Sequence, residues 1–131
     1  RLPQLAPSDF ASCGSCTVAC STCTCFTTRD VIYGDNPEVG ERRRVSASCQ
    51  IEGFDQMAGQ RELRSTPGDR MRFKVLHKFY DYKARFKESH MCVGCGRCTN
   101  RCPEFISISA TVNKMNAAVE EIKADMARKG V

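Results

Sequence analysis

The sequence has 131 residues, with 20 Lys+Arg against 15 Asp+Glu for a formal charge of +5, ten cysteines and only two histidines. That length holds one domain with a modest core and excludes a large barrel enzyme. Seven of the cysteines fall in two tight runs, not in scattered disulfide positions, and no apolar segment reads as a signal peptide or a membrane span, so reduced thiols and a cytoplasmic location are expected.

Residues 1–9 carry two prolines and no periodicity and read as a linker or tail, with residues 10–131 as one domain. The start at Arg1 instead of Met reads as a piece of a longer polypeptide. Cys13, Cys16 and Cys20 follow, then Cys23 and Cys25. The β-branched and aromatic stretch 24–33 predicts a strand, residues 34–37 a turn, and residues 44–51, with Cys49, a second strand that closes a hairpin. Arg42, Arg43 and Arg44 read as a solvated edge, with docking of an acidic partner or flavin phosphates as the alternative. Residues 53–60 are expected to make one helical turn, with Met57 in the core.

Thr66-Pro67-Gly68-Asp69 is a helix start, with Thr66 as cap, Pro67 at the first position and an acid three residues after the cap. The helix should run to about residue 88. Met71, Val75, Phe79, Tyr82 and Phe86 form its apolar face, and Arg70, Arg72, Lys74, Lys78, Lys83, Arg85 and Lys87 a solvated basic remainder. No nucleic-acid motif accompanies that charge. His77 and His90 read as ordinary polar residues, although His90 stands close enough to the second cysteine run to tune it by hydrogen bonding. Beyond that run, Ile106 and Ile108 alternate with serines as a short extended piece. A final helix from about Thr111 to Lys129 should bury Val112, Met115, Val119, Ile122 and Met126, and Gly130 should stop it.

The chemistry lies in Cys92, Cys95, Cys98 and Cys102, the last followed by Pro103: the spacing C-x2-C-x2-C-x3-C-P of a [4Fe–4S] binding loop. Three cysteines two residues apart wrap one face of a cubane, and the fourth points away to a second cluster. Gly94 and Gly96 allow the loop to approach the inorganic sulfides. On the same register Cys13, Cys16 and Cys20 match Cys95, Cys98 and Cys102, while Phe10 takes the first ligand position and Ser21 that of the proline. Two clusters are therefore expected. One is held by Cys92, Cys95, Cys98 and Cys20. The other is held by Cys13, Cys16 and Cys102, completed by Cys23, Cys25 or Cys49. Two such clusters at about −2 each bring the formal charge to about +1, which explains much of the basicity without nucleic acid. Cys16-x3-Cys20-x2-Cys23 also fits radical-SAM spacing, but the chain is too short for that barrel. A structural zinc module is the rival from another class. No acid–base pair or substrate-pocket signature stands out. The long insertion between Cys20 and Cys92 disfavours a compact (βαβ)₂ form, so a mainly α fold with a small β-hairpin, a helical dicluster ferredoxin, is expected.

Several stretches resemble the anaerobic sulfite reductase family, in its iron–sulfur electron-transfer component. They are Cys20-Ser21-Thr22-Cys23-Thr24-Cys25-Phe26 with the following Thr27 to Asp30, Gly40 to Cys49, Gly53-Phe54, Met57-Ala58-Gly59, Arg70 to Lys78, and Cys92 to Pro103. The resemblance covers nearly everything from Cys13 to about Glu121. Its intervening stretches, more than the cysteine runs, carry the match and set it apart from the related β subunits of hydrogenases and sulfur reductases, which stand as the alternative. It implies the two-cluster, C-terminal part of a longer electron-transfer subunit, working between a flavin- and NADH-binding subunit and a sirohaem-containing catalytic subunit that reduces sulfite. By position it implies cluster ligands at Cys13, Cys16, Cys20, Cys92, Cys95, Cys98 and Cys102.

Overall fold

The structure is a computed structural model that describes residues 12–34 and 38–129. The linker 1–9, Phe10, the centre of the 34–37 turn and Gly130 lie outside the described residues. In chain order the elements are α1 (Ser15–Val18), β1 (Phe26–Ile32), β2 (Gly40–Ser46), β3 (Gln56–Met57), β4 (Arg61–Glu62), α2 (Pro67–Leu76), a π-helical segment (His77–Asp81), α3 (Tyr82–Phe86), α4 (Arg97–Asn100) and α5 (Ile108–Lys129).

The expected hairpin is present, with β1 antiparallel to β2 from Phe26↔Ser46 to Ile32↔Gly40. Both strands are largely solvent-exposed, so cross-strand pairs hold them together. Asp30 faces Arg42 in register and accepts two hydrogen bonds from its guanidinium, at 2.6 and 2.9 Å. Arg43 pairs with Glu41, and Arg44 stacks 3.9 Å over the Phe26 ring. All three arginines thus have local partners on the expected exposed edge. Cys49 lies in the turn after β2, not within the strand.

A mainly helical fold is not what forms. Among the described residues 43% are helical and 16% are in strands, in two separate antiparallel sheets. The second sheet, β3 with β4, replaces the helical turn expected at 53–60. Gly53 (φ 80°), Gly59 (φ 81°) and Gln60 (φ 59°) explain this, because a left-handed residue breaks a helix and closes a tight hairpin. Met57 on that hairpin is 53% exposed and not in the core.

The long helix follows its sequence signals. Thr66 Oγ1 accepts a hydrogen bond from the Asp69 amide at 3.2 Å and donates to the Asp69 carboxylate at 2.7 Å, with Pro67 at the first position. Helical structure continues through the π segment to Phe86, where Lys87 adopts a left-handed φ of 61° and ends it. The π segment has a use: the Lys78 carbonyl accepts a hydrogen bond from the Met91 amide at 2.8 Å, which ties the chain just ahead of Cys92 to the helix. The buried apolar residues are few, namely Cys49, Met71 and Val75. Burial fades along the helix, and Phe86 is exposed.

The last helix begins at Ile108, three residues before the expected Thr111, because Ser107 caps it by accepting from the Ala110 amide at 3.3 Å. Of its expected buried face, Val112, Met115, Val119 and Ile122 are only half-buried and Met126 is exposed, whereas Thr111 is buried. Among the described residues no helix is long and apolar enough to cross a membrane.

Candidate metal centre

The two cysteine runs fold into matching turns. Gly14 (φ 77°) precedes α1 and Gly96 (φ 71°) precedes α4, each a four-residue helix, and the two turns pack against each other. The shared register of the two runs is therefore a duplication of structure: a left-handed glycine between two cysteines, then one helical turn that carries the next thiol. At Gly14 the chain also approaches Ser48, whose Cβ and Oγ would lie 3.0 Å from any added Cβ.

The cysteines ring cavities. Cys92, Cys95, Cys98 and Cys20 line one of about 340 Å³, together with Cys16, which is expected at the other cluster. The first four are the ligand set expected for the first cluster, drawn from both runs. Cys13, Cys16 and Cys102 line a narrow cleft of about 30 Å³ on the other side of α1. They are the three expected ligands of the second cluster, and the cleft takes a cluster only if the loops bearing Cys13 and Cys102 part. Cys23, Cys25 and Cys49 gather around a separate cavity of about 250 Å³. Among the described residues no three Cys, His, Asp or Glu side chains converge closely enough to hold a single metal ion.

The electrostatics differ from thiol to thiol. Burial opposes ionisation of Cys20, but hydrogen bonds from Thr22, with Cys23 and Lys78, overcome it and bring the thiol down to about 6. Burial pushes Cys23 up to about 12 despite the charge of Lys74. Burial, then the neighbouring Cys49, raises Cys25. Hydrogen bonding with Ser15 lowers Cys13, whose Sγ lies 3.3 Å from Ser15 Oγ, and the Arg97 amide lowers Cys95.

Lys74 and Lys78, expected on a solvated face, are only 3% and 4% exposed. Lys74 Nζ donates to Thr17 Oγ1 at 3.1 Å, and Lys78 Nζ to Thr22 Oγ1 at 2.9 Å and to the Cys20 thiol. Both line the 340 Å³ and the 250 Å³ cavities. Their spacing is the available signal: positions 74 and 78 lie three and seven residues after Met71, inside the arc of the apolar face. Arg70 is buried as well and donates to the Arg64 and Ser65 carbonyls at 3.1 Å. His90 packs its ring 5.3 Å from Phe79 at the rim of the larger cavity, and His77 stacks on Phe73.

Residues 10–106 match the family described as 4Fe-4S dicluster domain. The chain belongs to that family. A dicluster domain carries two [4Fe–4S] clusters, and thiolates are the donors such clusters need. The domain is also 36% identical over 95 residues to the sulfhydrogenase 2 subunit beta of Pyrococcus furiosus. That alignment covers 72% of this chain and 27% of the relative, so the domain spans little more than a quarter of that protein. The relative is a sulfhydrogenase subunit and not a sulfite reductase subunit. No solved structure matches the dicluster domain.

Proposed function

We propose that this dicluster domain is the electron relay of an iron–sulfur β subunit in a hydrogenase or sulfur-reducing complex. The likeness to the sulfhydrogenase β subunit supports the choice of complex. The relay role rests on a cavity lined by four cluster-spaced cysteines from both runs. In this reading Cys92, Cys95, Cys98 and Cys20 hold one cluster, and Cys13, Cys16 and Cys102 supply three ligands of the other, whose expected fourth ligand, one of Cys23, Cys25 or Cys49, does not line the same cleft. Bound clusters supply one-electron steps, which let a two-electron donor feed a separate catalytic subunit.

The chain's own residues set the conditions for that transfer. Lys78 and Thr22 stabilise negative charge on Cys20. The exposed Cys13 and Cys95 bring each centre to the surface, where partner subunits would dock. The second reading, a sulfite reductase component beside flavin/NADH and sirohaem partners, keeps the support of the stretches Gly40 to Cys49 and Arg70 to Lys78. Anaerobic affinity purification of the full-length protein from its native cells separates the two. A copurifying hydrogen-oxidising activity without sirohaem absorption is expected. A sirohaem-bearing partner would transfer the assignment to sulfite reduction, and recovery of the chain with no redox partner would remove both.

A further inference from the structure

Cys23, Cys25 and Cys49, one of which is expected to complete the second cluster, line neither the 340 Å³ cavity nor the 30 Å³ cleft, yet they are not dispersed. The segment after α1 brings in Cys23 and Cys25, the turn after β2 brings in Cys49, and α2 with its π segment closes the cavity with Lys74 and His77. At about 250 Å³ the space is of the same order as the cavity of the complete four-cysteine set, at about 340 Å³.

Cys49 is 5% exposed, and its sulfur has polar side chains in reach. Gln50 Nε2 donates to its sulfur at 3.8 Å while also donating to the Arg70 carbonyl at 2.9 Å. Thr17 Oγ1 lies 3.7 Å from the same sulfur and accepts from Lys74 at 3.1 Å. The Lys74 ammonium occupies one lone pair of the threonine hydroxyl, whose proton is free to point at sulfur. A buried sulfur that receives an amide hydrogen bond and has a threonine hydroxyl in reach, backed by a buried lysine, is an environment suited to a metal-bound sulfur. A cysteine packed merely as a small apolar residue needs neither.

We propose that Cys23, Cys25 and Cys49 bind a third metal centre, an iron–sulfur cluster additional to the two of the dicluster pattern, with His77 as the fourth side chain in reach of the cavity. Three thiols around a space of this volume leave room for a multi-iron body. The proposal rests on the iron–sulfur reading of this chain, and the test separates the two.

The full-length chain, purified anaerobically, is assayed for iron, zinc and acid-labile sulfide and by EPR after reduction. The wild type should hold about twelve irons, not about eight. The Cys25→Ser/Cys49→Ser double variant should lose about four of them, while the remaining EPR signals keep their shape. About eight irons in the wild type, with the signals intact in the variant, would overturn the third centre and leave the dicluster reading standing. About eight irons with a dicluster signal lost in the variant would make these cysteines replacement ligands and also overturn it, as would one zinc lost without iron. The wild-type count decides even if the variant does not fold.

Discussion

Lys78 reaches Cys20 from a helix face expected to meet water, and its partners are a threonine hydroxyl and a thiol instead of a carboxylate. A buried ammonium beside a cluster ligand favours the state with one more electron. Lys78→Met should therefore make the cluster held with Cys20 harder to reduce by about 1.4 kcal/mol, or about 59 mV for one electron. Lys78→Arg, which keeps the charge, should stay near the wild type. A potentiometric titration followed by EPR measures both, and an unchanged midpoint in Lys78→Met would count against the electrostatic role.

The same contacts order the thiols of the metal-free chain. At pH 7.5 Cys20, at about 6, is mostly thiolate, while Cys23, at about 12, is protonated. Iodoacetamide should label Cys20 well before Cys23, read by mass spectrometry. Because the folded value for Cys20 lies below its ordinary 9.0, its ionisation stabilises the folded metal-free chain fully above about pH 9, and that contribution disappears as pH falls through about 6. The labelling preference should fade over the acid end of the same range. Equal labelling at pH 7.5 would contradict the hydrogen-bonded environment of Cys20.

At the scale of elements, the two cysteine turns share one backbone design but differ in their surroundings. Gly14 and Gly96 both have positive φ, yet an added Cβ meets Ser48 at 3.0 Å and Ile51 Cδ1 at 3.3 Å at the first position and open space at the second. Gly96→Ala should cost about 1 kcal/mol from backbone strain alone. Gly14→Ala should cost about 2–3 kcal/mol, because Ser48 is buried and has little room to retreat. Thermal melts of the two variants compare them directly, and equal shifts would mean that the Ser48 contact relaxes freely.

These elements also show what the sequence can disclose. Local rules suffice for the β1–β2 hairpin and the Thr66 N-cap, since each depends on residues a few positions apart, and a fixed spacing suffices to bring Cys92, Cys95 and Cys98 to one cavity. The second hairpin escapes them because three left-handed residues between Gly53 and Gln60 outweigh weak helical composition. Lys74 and Lys78 escape them because charge usually means exposure, a rule that fails where hydroxyls and thiols from the first cysteine run face the lysines. The π segment answers a tertiary contact, Met91 to Lys78, that no local pattern encodes.

For the molecule as a whole, the described apolar core is thin. Cys49, Met71 and Val75 are its buried hydrophobic residues, and none of the large side chains among the described residues is completely enclosed. The cavities ringed by thiols occupy the space where a core would otherwise sit, and the first joins Cys20 to a loop more than seventy residues later in the chain. Cluster ligation should therefore act as the missing core and as a long-range cross-link, as metal does in other small domains. Cys98→Ser, which removes one thiol from the 340 Å³ cavity, should cost stability as well as redox function, at a few kcal/mol and a clearly lower melting temperature. Circular dichroism melts under anaerobic conditions, with iron counted on the same samples, test this. Full removal of iron from the wild type should lower the melting point further, since all the cavities then lose their contents. A Cys98→Ser chain that lost its cluster yet melted at the wild-type temperature would show that side-chain packing alone carries the fold, and the structural role of the centre would have to be abandoned.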